Sequence, residues 1–196
     1  MTTGLKRRDV VEALLHERKG LLVVAGLGST AWDITAAGDS PLSFPLWGAM
    51  GSAAMIGLGL ALAQPKRRVL VITGDGEMLM GMGSLATVGV QKPRNLAVVV
   101  IDNERYGETG MQRTHTASGV DLSKVARGCG FKTSRLIRSK GQLSGLRKAI
   151  HHSPGPLFAQ VKVVAEKIPL VLPPRDGGLL KTRFRKALLG DSADLD

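Results

Sequence analysis

The apolar positions of the chain fall into two alternating patterns. Residues 21–25 (LLVVA), 69–73 (VLVIT) and 96–101 (LAVVVI) are short runs, rich in β-branched side chains and free of charge. That is the pattern of strands buried on both faces of a parallel sheet. Between such runs the spacing becomes helical. Val10, Val11, Leu14 and Leu15 predict an amphipathic helix over 8–18, and Leu143, Leu146 and Ile150 predict another over 142–150. A short helical piece is expected over 31–36, a helix of small residues over 52–63, and one starting near Glu77. Asp121 is placed to cap a helix reaching about residue 128. Further strands are expected at 131–137 and 157–164. Residues 40–51 read as irregular, because Pro41 and Pro45 bar a helix, and the polar stretch 107–119 reads as a lid-like loop.

This order predicts an α/β fold, a three-layer α/β/α arrangement on a mainly parallel sheet. One domain is expected over 1–168. After a Pro- and Gly-rich link at 173–178, residues 179–190 read as a basic helix and 191–196 as frayed, so 169–196 forms a basic C-terminal extension.

Composition narrows the function classes. The longest apolar stretch, residues 50–63, is too short to span a bilayer. The N-terminus lacks the pattern of a signal peptide, and the single Cys129 excludes an intrachain disulfide, so a cytoplasmic protein is expected. Net charge is +11, from 27 Lys and Arg against 16 Asp and Glu. The basic residues are scattered and few aromatics lie among them, which argues against a nucleic-acid partner. Attraction of an anionic cofactor and substrate explains the charge equally well.

The chemistry concentrates where strands end. Gly26-Leu27-Gly28-Ser29-Thr30 follows the first run and is a weak signal alone, compatible with a plain turn or with a phosphate contact. Gly74-Asp75-Gly76 follows the second run and Asp102-Asn103 the third. Either alone reads as a turn. Asp75 and Asn103 lie 103 − 75 = 28 residues apart, the length of one crossover, so both side chains can meet at one sheet edge. Oxygen donors of this kind suit Mg2+, and Gly74 and Gly76 let backbone approach phosphate closely.

These corners resemble the signature of the diphosphate-binding domain of thiamine-diphosphate-dependent enzymes, over roughly residues 21–164. The resemblance implies thiamine diphosphate and Mg2+ as cofactors, with Asp75, Asn103 and the main-chain carbonyl of Arg105 as metal ligands. It also implies cofactor contacts from Ser29, Gly74, Gly76, Glu77, Met78 and Tyr106. Trp47-Gly48-Ala49-Met50-Gly51 resembles the segment in which a bulky apolar residue props the bent cofactor. Met50 would be that prop and the Gly48 carbonyl would accept from the aminopyrimidine. Met50 read on its own is a core methionine.

The glutamate that activates the cofactor lies, in this family, in a separate pyrimidine-binding domain that nothing here matches. A partner pyrimidine-binding subunit is therefore expected, in an α2β2 or larger assembly. A free-standing domain of this size looks most like the branch of 2-oxo acid decarboxylases acting on sulfopyruvate- or phosphonopyruvate-like anionic substrates. His115 is the candidate for proton transfer, with Glu108, Gln112 and Arg113 as further loop candidates; a solvated loop histidine is the plain alternative. Carboligation or oxidative transfer with the same cofactor, or a non-catalytic scaffold retaining the fold, are the competing readings.

Overall fold

The computed structural model describes residues 4–194. Six strands form one parallel sheet: β1 (Leu22–Ala25), β2 (Ser43–Pro45), β3 (Val69–Gly74), β4 (Leu96–Asp102), β7 (Thr133–Ile137) and β8 (Leu157–Lys162), in the order β2-β1-β3-β4-β8-β7. Two further strands, β5 (Arg105–Tyr106) and β6 (Gln112–Arg113), pair as a small antiparallel hairpin. The helices are α1 (Arg7–Leu15), α2 (Ser29–Ala36), α3 (Ala53–Ala63), α4 (Asp75–Met80), α5 (Ser84–Gln91), α6 (Leu122–Gly128), α7 (Leu143–His152) and α8 (Gly177–Leu189).

Alternation along the central strands divides the core into two layers. Val23, Leu70, Ile72, Val99 and Ala159 point to the face covered by α1, α2 and α7, with Leu14, Leu146 and Ile150 packed on them. Val24, Val71, Val98 and Phe158 point to the opposite face, where Leu58, Leu85, Ala126 and Phe184 pack. Every residue of β4 is buried, as a strand covered on both faces requires. Asp121 caps α6 as expected, its carboxylate accepting from the Lys124 amide at 3.1 Å.

Three local expectations are corrected. Residues 40–51 contain β2, a three-residue edge strand; Pro45 ends it at the margin of the sheet, where a missing N–H is tolerated. The helix after Asp75 is two helices, α4 and α5, separated at Gly81 to Gly83. There a Cβ on Gly81 would sit 2.0 Å from the Gly51 carbonyl oxygen, so backbone contact with the loop before α3 breaks the helical path. The 107–119 stretch holds β6 and a short 3-10 turn at His115–Ser118, and its Thr114 and Thr116 are buried because they bond to acids beneath them.

The C-terminal segment returns across the sheet. Arg8 donates to the Pro169 carbonyl at 2.8 Å and the Trp47 indole to that of Pro174 at 2.8 Å. α8 then packs beside β2, with Phe184 against Phe44 at 5.5 Å between ring centroids and Arg183 paired to Asp39. Residues 195 and 196, part of the stretch expected to fray, lie outside the described residues.

Candidate cofactor and metal site

β1 leads away to β2 on one side, whereas β3 and β4 lie on the other. The sheet therefore has its switch point between the carboxyl ends of β1 and β3, the place where open α/β sheets bind ligands. A cavity of about 190 Å³ opens there. It is lined from the β1 exit by Leu27, Ser29 and Thr30, from the β3 exit by Gly74 to Glu77, and from the β4 exit by Asn103, Arg105 and Tyr106. Met50, Arg7, Ile101 and the hairpin residues Gly107 to Thr109 complete it.

The pairing of β3 with β4 sets Gly74 beside Ile101, so the two exit loops begin level with each other. The Asn103 amide donates to Asp75 Oδ1 at 3.3 Å, and Asn103 Oδ1 accepts from the Arg105 amide at 2.9 Å. Glu104 sits between them at φ +62°, an unusual conformation for a residue with a Cβ. It is held there by its backbone N–H donating to Asp102 Oδ1 at 3.0 Å and by the Thr114 amide donating to its carbonyl at 3.1 Å. This turn carries Arg105 back toward Asp75. Gly76 has to be glycine, since a Cβ would lie 2.5 Å from the Tyr106 ring.

Burial dominates the electrostatics. Asp75 is 1% exposed and its pKa is pushed up to about 6, first by burial and then by the nearby Asp102, against the Thr114 hydroxyl, which favours the ionised form. Burial also raises the Glu77 carboxyl, with the Thr73 hydroxyl, 2.8 Å from Oε2, as the largest opposing effect. Glu77 packs so tightly on Gly26 that a Cβ there would overlap its carboxylate. Asp102 meets Lys162 at 2.9 Å, its neighbour in register on β8.

The donors fit a magnesium diphosphate. Asp75, Asn103 and the Arg105 carbonyl are all oxygen donors with one carboxylate among them, and the described residues hold no cluster of three or more His, Cys, Asp or Glu. A set this small leaves places for phosphate oxygens and water. A buried carboxylate with a raised pKa is also one that a divalent cation relieves. Gly74 faces open space, with nothing within 4 Å of a Cβ built on it.

Of the residues expected in the site, Ser29, Met50, Gly74, Asp75, Gly76, Glu77, Asn103, Arg105 and Tyr106 line this one cavity. Met50 stands between Ala49 at φ +57° and Gly51 at φ +95° and is 40% exposed, in contrast to the plain core reading. Five residues do not line it. Gly48 is exposed on the approach to Met50, and Met78 points its side chain into the core. His115 is exposed at the start of the 3-10 turn. Gln112 and Arg113 bond within their own loop, to Thr109 and Ala117.

Arg7 was not foreseen. It is 4% exposed, pairs with Asp33 at 2.6 Å and donates to the Ser29 carbonyl at 3.1 Å. Its signal was its position on α1, three and four residues before Val10 and Val11, which puts a cation on the buried stripe. Thr114 and Thr116 flank His115 in a Thr-His-Thr alternation, which sets both hydroxyls on the side opposite the imidazole.

Fold and site together define an α/β domain with a ligand cavity at the switch point of its parallel sheet. The family of thiamine pyrophosphate enzymes, C-terminal TPP binding domain, matches residues 28–161, and the chain belongs to it. A sulfopyruvate decarboxylase subunit beta from Methanothermobacter thermautotrophicus is 37% identical over 190 residues, 97% of this chain and 99% of the relative. A phosphonopyruvate decarboxylase from Streptomyces viridochromogenes is 40% identical over 158 residues, which is 80% of this chain but only 39% of that longer protein. Among solved structures, benzoylformate decarboxylase from Polynucleobacter necessarius shares the fold with a TM-score of 0.68 at 20% identity, over 85% of this chain and 34% of that one. No helix among the described residues is long and apolar enough to cross a membrane.

Proposed function

We propose that this chain is the diphosphate- and Mg2+-binding subunit of a cytoplasmic thiamine-diphosphate-dependent decarboxylase. Its substrate is a small anionic 2-oxo acid of the sulfopyruvate or phosphonopyruvate kind. The observation that carries this reading is the convergence of Asp75, Asn103 and Arg105 on one cavity at the switch point. The full-length likeness to a decarboxylase β subunit supports the reaction class.

In this reading Asp75, Asn103 and the Arg105 carbonyl would hold the metal, while Ser29 and Arg7 would meet the diphosphate. Met50 would support the cofactor, and the Gly48 carbonyl would accept from its aminopyrimidine. Bound there, the cofactor supplies the electron sink that decarboxylation needs. Glu108, Thr109 and Tyr106 close the cavity on the substrate side and limit water. Residues 1–168 form the cofactor domain and 169–196 an extension that braces its β2 edge.

The active site is completed by a partner pyrimidine-binding subunit, in an α2β2 or larger assembly. Supporting this, Met50, Met80 and Met82 are 40%, 62% and 38% exposed. They are brought together by the Gly51–Gly81 backbone contact, and an apolar cluster of this kind beside a cavity suits a protein interface. The test is carbon dioxide release from sulfopyruvate and from phosphonopyruvate by the chain alone and with a pyrimidine-binding subunit co-expressed from the same source. Turnover is expected only from the pair, with Mg2+ and thiamine diphosphate. Turnover by the chain alone refutes the divided site, and failure of the pair on both acids refutes the substrate class.

A further inference from the structure

Asp75 is held from two sides. Its Oδ1 accepts from the Asn103 amide, whereas Oδ2 accepts from the Thr114 hydroxyl at 2.5 Å. Thr116 Oγ1 donates to Asp102 Oδ1 at 2.8 Å, and lies 2.9 Å from Thr114 Oγ1 and 3.3 Å from Asp75 Oδ2. All four side chains are buried. A hydroxyl has one proton to give; Thr114 gives its proton to Asp75 and Thr116 to Asp102, so each of two neighbouring threonines holds one buried acid. Asp102 is fixed in turn by Gln160 at 2.5 Å and Lys162 at 2.9 Å, both on β8. Residues 114–116 are therefore tied at one end to Asp75 and at the other, through Asp102, to the sheet. Neither threonine lines the cavity, so whatever they do there is done through Asp75.

We propose that Thr114 and Thr116 are positioning residues: a hydroxyl clamp that orients Asp75 for its cation and couples the 107–113 loop to occupancy of that site. The proposal rests on Asp75 being a metal ligand. With Oδ2 tied down, the carboxylate cannot turn without breaking a buried bond, and Oδ1 stays directed to the Asn103 side. The loop that brings Gly107, Glu108 and Thr109 to the cavity leaves through β5 and returns through β6 directly into Thr114. Its return limb is thus anchored on the carboxylate that takes the metal. Partners that hold a ligating carboxylate from behind set its affinity as the ligand itself does.

The test uses the full chain. Mg2+ is titrated calorimetrically in the presence of thiamine diphosphate, and hydrogen exchange is followed over residues 107–113. Thr114→Val, which keeps shape and removes the donor, is expected to weaken Mg2+ about tenfold and to abolish the protection that Mg2+ gives the loop. Thr114→Ser is expected to restore both, which a purely packing role for the threonine would not produce. If Thr114→Val fails to fold, Thr116→Val carries the comparison, with a loss in the same direction and smaller. Wild-type Mg2+ affinity in either valine variant, or a serine variant no better than valine, overturns the clamp. A wild-type chain that takes up no Mg2+, like Asp75→Ala, overturns the metal reading beneath it.

Discussion

Asp75→Asn separates what the proposed metal site costs the fold from what it gives the ligand. In the metal-free chain the buried carboxylate has a pKa of about 6 against an ordinary 3.8. That difference corresponds to about 3 kcal/mol. The folded pKa is raised, so the folded state holds the proton longer. Its stability is full below pH 3.8, falls as pH rises through about 6, and stays lower above that. Asparagine never carries the charge. Its side-chain carbonyl can still accept from Thr114, but its amide group then meets the Asn103 N–H donor to donor, at a cost of about 1–2 kcal/mol. The net expectation at pH 8 without metal is a gain of about 1–2 kcal/mol, or about 2–8 °C in melting temperature for a chain of this size. At pH 4 the carboxyl is already neutral and the variant is no more stable than wild type. Adding Mg2+ and thiamine diphosphate at a hundred times their dissociation constant raises wild-type stability by about 2.7 kcal/mol and leaves the variant unmoved. Calorimetric melts of both proteins at both pH values read all of this, and the buried Glu77 and Asp33, common to both, cancel in the difference. A variant less stable than wild type at pH 8, or a difference independent of pH, refutes the reasoning.

Met50→Ala should change the melting temperature little, because the side chain is 40% exposed. It should weaken thiamine diphosphate markedly in a fluorescence titration; unchanged affinity removes Met50 from the site. Gly81→Ala forces a Cβ to within 2.0 Å of the Gly51 oxygen. It should displace the Met50 loop and lower cofactor affinity, while the far-UV circular dichroism keeps the helix and strand content. Phe158→Ala empties a fully buried position that meets Phe131 edge-on at 5.9 Å, and should cost about 3–5 kcal/mol in urea denaturation. A loss under 1 kcal/mol there would mean that the two-layer core is misassigned.

Much of the fold was legible because buried parallel strands leave an unbroken record: the runs ending at Ala25, Thr73 and Ile101 became β1, β3 and β4 within a residue. The misses have one physical origin, contacts between segments far apart in sequence. β2 exists because Ser43 to Pro45 pair with β1, and nothing local in a stretch with two prolines announces a strand. The α4–α5 break answers the Gly51 carbonyl some thirty positions earlier. The burial of Thr114 and Thr116 answers Asp75 and Asp102, whose side chains meet only once the sheet has set their strands in register.

The same distinction governs the site. Candidate oxygen donors at strand exits are readable because the 28-residue spacing of Asp75 and Asn103 matches one strand-helix-strand crossover, which brings both to one corner in space. Residues that arrive by tertiary packing are not. Arg7 reaches the cavity from a helix that precedes β1, and reads in the sequence as one of several N-terminal cations. His115, by contrast, has the right chemistry for proton transfer but the wrong side of the Thr-His-Thr alternation, and its ring is exposed. Two buried hydroxyls commit that segment to Asp75 and Asp102, and turning His115 inward would break both bonds and leave the carboxylates short of donors. That costs about 1–3 kcal/mol for each acid. The histidine therefore stands outside the cavity, on the exposed side of its turn. Glu108, already on the cavity wall with its carboxyl raised by burial, is the better-placed acid on this chain.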